Sequence, residues 1–258
     1  MNWAAMKTVE FGKQNNDVIM LLHGGGLSWW NYKAEAELLK NRYHVVLPIL
    51  DGHAGSGNDF ISIEKNASRL ISFIDNEFGG SVLLIGGLSL GAQILVEMLT
   101  QRNSICLNAV IESASVIPSR LTNALIKPMF SLSYGLVKKK CFAQMQFDYL
   151  HIRKDLFEDY YRDTSQISKE NMIAFLEANT SYEIKPNLQD VHANIHILVG
   201  EKEQKKMICS AEQLHKALPG SILEIKKGLY HGEYSINHPE EYTKELLDMM
   251  CYILNKSA

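Results

Sequence analysis

Apolar positions follow two alternating rhythms along the chain. Short apolar runs at Val18–Leu22, Val45–Leu50, Val82–Ile85, Ala109–Ile111, Ile195–Val199 and Ile222–Ile225 read as strands. Most are apolar throughout rather than alternating with polar positions, the pattern of parallel strands covered on both faces. Thr8–Phe11 reads as an antiparallel edge strand. Between these runs, Ile63, Ala67, Leu70, Ile71, Ile74 and Phe78 recur at helical spacing. They predict a helix over 62–78, ended by Gly79-Gly80. Ile208, Ala211, Leu214 and Leu218 predict another over 205–218, stopped by Pro219-Gly220. A last helix is expected from about Asn237-His238-Pro239, where proline suits the first turn. Strand–helix alternation of this kind builds a mostly parallel sheet between helical layers.

One region breaks the rhythm. Residues 118–185 carry Pro118, Pro128 and short helical patterns but no clear core strand. They hold ten of the 23 Phe, Trp and Tyr residues, more than their share of the length, among them Phe130, Tyr134, Phe142, Phe147 and Tyr149. A segment this long needs structure of its own. The expectation is an inserted helical lid with an apolar underside, flanked by a core built from residues 1–117 and 186–258.

Composition narrows the class. A chain of 258 residues with 46% hydrophobic content can bury a substantial core. Its net charge of −3 gives no electrostatic case for nucleic acid or an anionic membrane, and Lys138-Lys139-Lys140 reads as a local solvated face. Met1–Lys7 shows no secretory pattern, and no apolar run approaches membrane-spanning length. Cys106, Cys141, Cys209 and Cys251 are widely spaced with no C-x-x-C pair, which points to reduced thiols in a cytoplasm.

The candidate chemistry starts at Gly87-Leu88-Ser89-Leu90-Gly91. This G-x-S-x-G follows a buried-strand pattern and precedes a helical one, so the chain must reverse sharply at Ser89. Glycine on either side removes the side chains that would collide across the turn. The following helix points free N–H groups at the serine, which favours developing negative charge. A serine nucleophile needs a base, and the base an orienting acid. The base belongs on a loop after the last strand, where Gly228-Leu229-Tyr230-His231-Gly232-Glu233 offers His231. His238, before Pro239, reads as a helix start; His192 and His196 straddle the start of a strand. The acid belongs after the preceding strand, in Gly200-Glu201-Lys202-Glu203, with Glu203 favoured and Glu201 and Glu112 as rivals. Two N–H donors are needed for the oxyanion: Leu90, after the serine, and Gly25 in His23-Gly24-Gly25-Gly26, with Gly26 as its rival.

Together these segments resemble the α/β-hydrolase family, and specifically its lidded serine esterase and lipase-like members. The likeness spans nearly the whole chain. It includes Asp51-Gly52-His53-Ala54-Gly55-Ser56-Gly57, similar to the family's D-x-x-G-x-G-x-S loop but with Ala54 where glycine is usual; this loop reads as structural. The acid segment also departs, since lidded members usually show G-x-x-D where this chain has Glu203. The resemblance implies a mostly parallel sheet of about eight strands with helices on both faces and a lid after the sixth. It also implies Ser89 as nucleophile, His231 as base and the oxyanion donors named above. The expected activity is hydrolysis of a small or medium apolar carboxylic ester without metal or organic cofactor. Thioester or carbon–carbon cleavage by the same residues, and a non-catalytic ligand-binding protein, are the alternatives. The expected partner is a small acyl substrate; oligomeric state is left open.

Overall fold

The computed structural model describes residues 5–254. Met1–Ala4, on which part of the reading of the amino-terminal segment rests, lie outside them. The strands are β1 (Thr8–Phe11), β2 (Val18–Leu22), β3 (His44–Pro48), β4 (Val82–Leu88), β5 (Cys106–Glu112), β6 (Asn194–Gly200) and β7 (Ile222–Lys226). They form one sheet in the order β1-β3-β2-β4-β5-β6-β7. β1 runs antiparallel to β3 and every other pairing is parallel. The described sheet thus has seven strands rather than about eight, and the long insert follows the fifth rather than the sixth, because no described strand precedes Thr8.

The helices are α1 (Lys33–Leu39), α2 (Ile63–Phe78), α3 (Leu90–Gln101), α4 (Arg120–Val137), α5 (Lys140–Tyr149), α6 (Phe157–Thr164), α7 (Lys169–Ser181), α8 (Lys205–Ala217), α9 (Glu233–Asn237) and α10 (Pro239–Leu254). α2 shows how local sequence sets its ends. Ser62 Oγ accepts from Lys65 N–H at the start, and Gly79 closes the helix in the left-handed region at φ 69°.

The apolar strands are shared between two cores by the two-residue period of the strand. Met20, Leu22, Ile85 and Ile111 pack with Ile63, Leu70 and Ile74 of α2, Ile94 and Met98 of α3 and Leu214 of α8. Ile19, Leu21, Leu84 and Val110 face the other way, onto Ala36 of α1 and Tyr242, Leu246 and Met250 of α10. β7 differs from the other parallel strands. Ile222 and Ile225 are exposed, because β7 ends the sheet and pairs only with β6.

Helices α4 to α7 fill the insert between β5 and β6. Pro128 does not break it into short pieces: α4 runs eighteen residues with the proline inside. Ile126 and Val137, on either side of the proline, are buried, although proline removes one helical hydrogen bond. The insert joins both cores. Phe175 and Met172 of α7 belong to the first, and Phe147 of α5 with Phe157 and Tyr160 of α6 belong to the second.

Parallel register brings the carboxyl ends of five strands together. Leu22 pairs with Gly87, Leu88 with Glu112, Glu112 with Leu198 and Gly200 with Lys226. The segments that follow these residues carry all the candidate chemistry.

Candidate active site at the carboxyl edge of the sheet

Ser89 sits between β4 and α3 with φ 52° and ψ −110°, a conformation rarely held by a residue with a side chain. Its backbone is fixed on both sides: Ser89 N–H donates to Glu112 O at 2.9 Å, and Gln93 N–H donates to Ser89 O at 3.0 Å. The flanking glycines are sterically required. A Cβ on Gly87 would lie 2.6 Å from Gly91 O, and one on Gly91 would lie 2.2 Å from Leu22 O.

Glu203 and His231 meet at the ends of β6 and β7. His231 Nδ1 lies 2.6 Å from Glu203 Oε2. The other carboxylate oxygen accepts from Ser113 Oγ at 2.6 Å and from Gly200 N–H at 2.8 Å. Glu203 therefore has every partner a buried carboxylate needs, and its side chain is fully buried while that of His231 is 41% exposed. Burial works against the charged form of both groups, but their mutual interaction outweighs it. Glu203, helped by Ser113 and Gly200, lies below the ordinary carboxylate value, and His231 lies above the ordinary imidazole value. The rival acids hydrogen-bond to other groups. Glu201 Oε2 accepts from Gly228 N–H, and Glu112 Oε1 accepts from Ser235 N–H at 3.2 Å.

The histidine loop packs against the serine turn. A Cβ on Gly232 would lie 2.9 Å from Leu88 Cδ1, so the residue after His231 touches the residue before Ser89. Ser89 Oγ has no hydrogen-bond partner among the described residues, so the imidazole is joined to the carboxylate but not to the serine. Catalytic hydrogen bonds often tighten only when substrate is bound.

The glycine loop after β2 is sorted by its hydrogen bonds. Gly24 N–H donates to Asn31 Oδ1 at 3.4 Å and Gly26 N–H to His53 Nε2 at 3.0 Å. Gly25 N–H has no acceptor among the described residues, and a Cβ on Gly25 would lie 3.6 Å from Leu90 Cβ. The free donor is thus beside the amino end of α3, where the Leu90 N–H has no intrahelical partner.

Several contributors are not legible in the sequence. His53 lies in the loop 51–57, yet it does more than shape that loop. Burial pushes it down to about 4, so it is neutral near pH 7 and its Nε2 accepts from Gly26. His53 also stacks on Phe175 of α7, at 4.9 Å between centroids. Thr164 Oγ1 of α6 donates to Gly26 O at 2.8 Å, so the insert holds the glycine loop from above. Ser113, the hydroxyl donor to Glu203, has φ 56°, and His151, at φ 54°, stacks on Tyr230. The non-glycine residues with positive φ among the described residues are Ser89, Ser113 and His151, all at this edge. Strain gathered in this way singles out this edge as the candidate functional region.

A cavity of about 400 Å³ opens beside His231 and Glu203, walled by Tyr149, Leu150 and His151 of the insert and by Met207 and Tyr230. A larger opening of about 720 Å³ lies between β6, β7 and α10, and none of Ser89, Glu203 and His231 lines it. Among the described residues, no group of three or more His, Cys, Asp or Glu side chains is placed to hold a metal ion.

A model of the alpha/beta hydrolase family matches residues 19–243, spanning the glycine loop, the serine turn and the His231 loop. The chain belongs to the alpha/beta hydrolase family. A search of curated proteins finds no match by sequence. Solved structures share the fold at low identity. An esterase from Thermogutta terrifontis superposes with a TM-score of 0.79 at 15% identity, covering 96% of this chain and 93% of that one. An enol-lactonase from Burkholderia xenovorans gives 0.80 at 14%, covering 95% and 96%. MenH from S. aureus gives 0.75 at 16%, covering 97% and 99%. Among the described residues of this hydrolase-family chain, no helix is long and apolar enough to cross a membrane.

Proposed function

We propose that this chain is a serine hydrolase that cleaves a small or medium apolar carboxylic ester through an acyl-enzyme on Ser89. The observation that carries the reading is the 2.6 Å contact between His231 Nδ1 and the buried Glu203 carboxylate, beside a serine held at φ 52°. Glu203 fixes the tautomer in which His231 Nε2 is free to accept a proton, and it stabilises the imidazolium that forms. Ser89 Oγ attacks the ester carbonyl as Nε2 takes its proton. Leu90 N–H and Gly25 N–H hold the resulting oxyanion. Collapse of the tetrahedral intermediate expels the alcohol, which takes the proton from Nε2. Water then attacks the acyl-serine by the same route and releases the acid. Neither step draws on a metal or organic cofactor.

In this reading, residues 118–185 are a cap over a core formed by 1–117 and 186–258. Support comes from Phe175 against the glycine loop, Thr164 on Gly26 and the Tyr149–His151 wall of the cavity. The apolar share of that wall favours uncharged acyl or alcohol groups. Four free cysteines fit a cytoplasmic setting.

The test is labelling by a fluorophosphonate probe, with a panel of ester, thioester and carbon–carbon substrates run on wild type and Ser89→Ala. Labelling and ester turnover that both vanish in Ser89→Ala are expected. An unlabelled Ser89 in a protein that still binds a ligand tightly overturns the reading in favour of a binding protein. Preferred turnover of thioesters or carbon–carbon substrates keeps the catalytic residues and replaces the substrate class.

A further inference from the structure

The outer helix of the insert leaves an apolar face uncovered. Leu121, Leu125, Met129, Leu132 and Leu136 of α4 are all exposed, Leu132 by 91% and Leu121 by 76%. At about 100° per residue they fall within an arc of about 80°. At about 1.5 Å per residue the stripe is about 22 Å long. A different face is the one that packs. Ile126 and Val137 are buried, Asn123 Nδ2 donates to Glu177 O and Thr180 Oγ1, and Tyr134 OH donates to Ile167 O. The stripe is therefore no part of the insert's own core. Single exposed leucines need no explanation, but a continuous row of apolar side chains marks an interaction surface.

Along the chain, the segment that carries the stripe has charge of one sign. Residues 113–147 contain no Asp or Glu and carry Arg120, Lys127, Lys138, Lys139 and Lys140, although the whole chain has a net charge of −3. All five cations are exposed. Lys140 pairs with Glu158 at 2.7 Å, and Lys138 lies over the Tyr134 ring. Arg120, Lys127 and Lys139 have no ion-pair partner among the described residues. By helical spacing Arg120, Lys127 and Lys138 share one flank of the helix, between the packed face and the stripe. From there long side chains can reach a surface while their stems cover apolar ground.

We propose that α4 docks the protein on an anionic phospholipid surface. The helix lies in the plane of the interface, with the leucine stripe at the headgroup–acyl boundary and the basic residues on the headgroups. A second copy of the chain fits the face less well. Stripe-to-stripe packing about a two-fold axis would bring two sets of unpaired cations together. An anionic lipid surface supplies the charge that the patch lacks. Docking of this kind would bring the candidate site to a phase in which apolar esters accumulate, but binding itself is independent of hydrolysis and is measured without it.

The test is co-sedimentation of the full chain with vesicles of phosphatidylcholine alone and of phosphatidylcholine with about 30% phosphatidylglycerol. Binding to the second and not the first is expected, weakening as salt rises from about 0.05 M to about 0.3 M. Leu132→Asp, at a position too exposed to carry the fold, should lower partitioning at least about tenfold. Lys127→Gln and Lys139→Gln should each lower it about fivefold. Ser89→Ala should bind as wild type, which keeps this result separate from the catalytic one. No partitioning onto the anionic vesicles, or equal binding by Leu132→Asp, overturns the proposal. A dimer that Leu132→Asp dissociates, with no vesicle binding, also overturns it and gives the face to a second copy.

Discussion

Two glycines show how differently the sheet and the insert are held. Gly91, behind the serine turn, has Leu22 O so close that a Cβ would sit 2.2 Å from it, while Gly135 in α4 meets nothing within 4 Å. At the serine turn the backbone is constrained by neighbours from distant parts of the chain, so little space is left for any added atom. In the outer insert, one face of a helix is fixed and the other is free to vary. The region that holds the candidate chemistry and the region with the exposed apolar face are therefore built to different tolerances.

The sharpest way to break this contrast is Gly91→Ala. It should cost on the order of 4 kcal/mol or more, read as a lower denaturant midpoint, and abolish activity. Near-normal stability would mean that the serine turn is far less tightly packed than its geometry shows. Next comes Glu203→Gln, which should lower kcat about 10⁴-fold with the fold intact. If Glu112→Gln has that effect and Glu203→Gln does not, the acid has been misassigned. The pH profile carries the same assignment. A base must be neutral to act, and Glu203 raises His231 above its ordinary value of 6.5. Activity should thus fall away as pH drops through a point above 6.5, and a weakened carboxylate partner should move that limb to lower pH.

A smaller effect is expected at the glycine loop. His53→Phe keeps the stacking on Phe175 but removes the acceptor for Gly26 N–H. It should reduce kcat by about 10²-fold with little change in KM, the mark of a displaced oxyanion donor rather than of weaker substrate binding. The smallest effect tests the other region. Gly135→Ala should raise stability by about 0.5–1 kcal/mol, because alanine lowers the entropic cost of an exposed helix position. A decrease there would show that α4 is more closely packed than its open face indicates.

What could be foreseen follows from where each signal resides. Thr8–Phe11 as an antiparallel edge strand, the helix closed by Gly79 and the proline-led last helix depend on local pattern, and all are found. The family segments are legible because tight turns demand glycine at fixed spacing. Ser113 is not, because its partner Glu203 lies 90 residues away and nothing near it in the chain announces the pairing. His53 is hidden likewise, 27 residues from the amide it accepts. Pro128 suggests a break that packing on the inner face of α4 overrides. The whole-chain charge of −3 is an average that conceals an acid-free stretch over 113–147.

The insert contributes Phe175 to one core and Phe147 to the other, straddling the edge of the sheet. It thus acts as a keystone rather than a hinged door. Deleting it would strip both layers at once and leave greasy surface on either side, so a trimmed core is expected to aggregate. Sequence change in the insert is then easiest to accommodate on its outer face, with its two footings left where they stand.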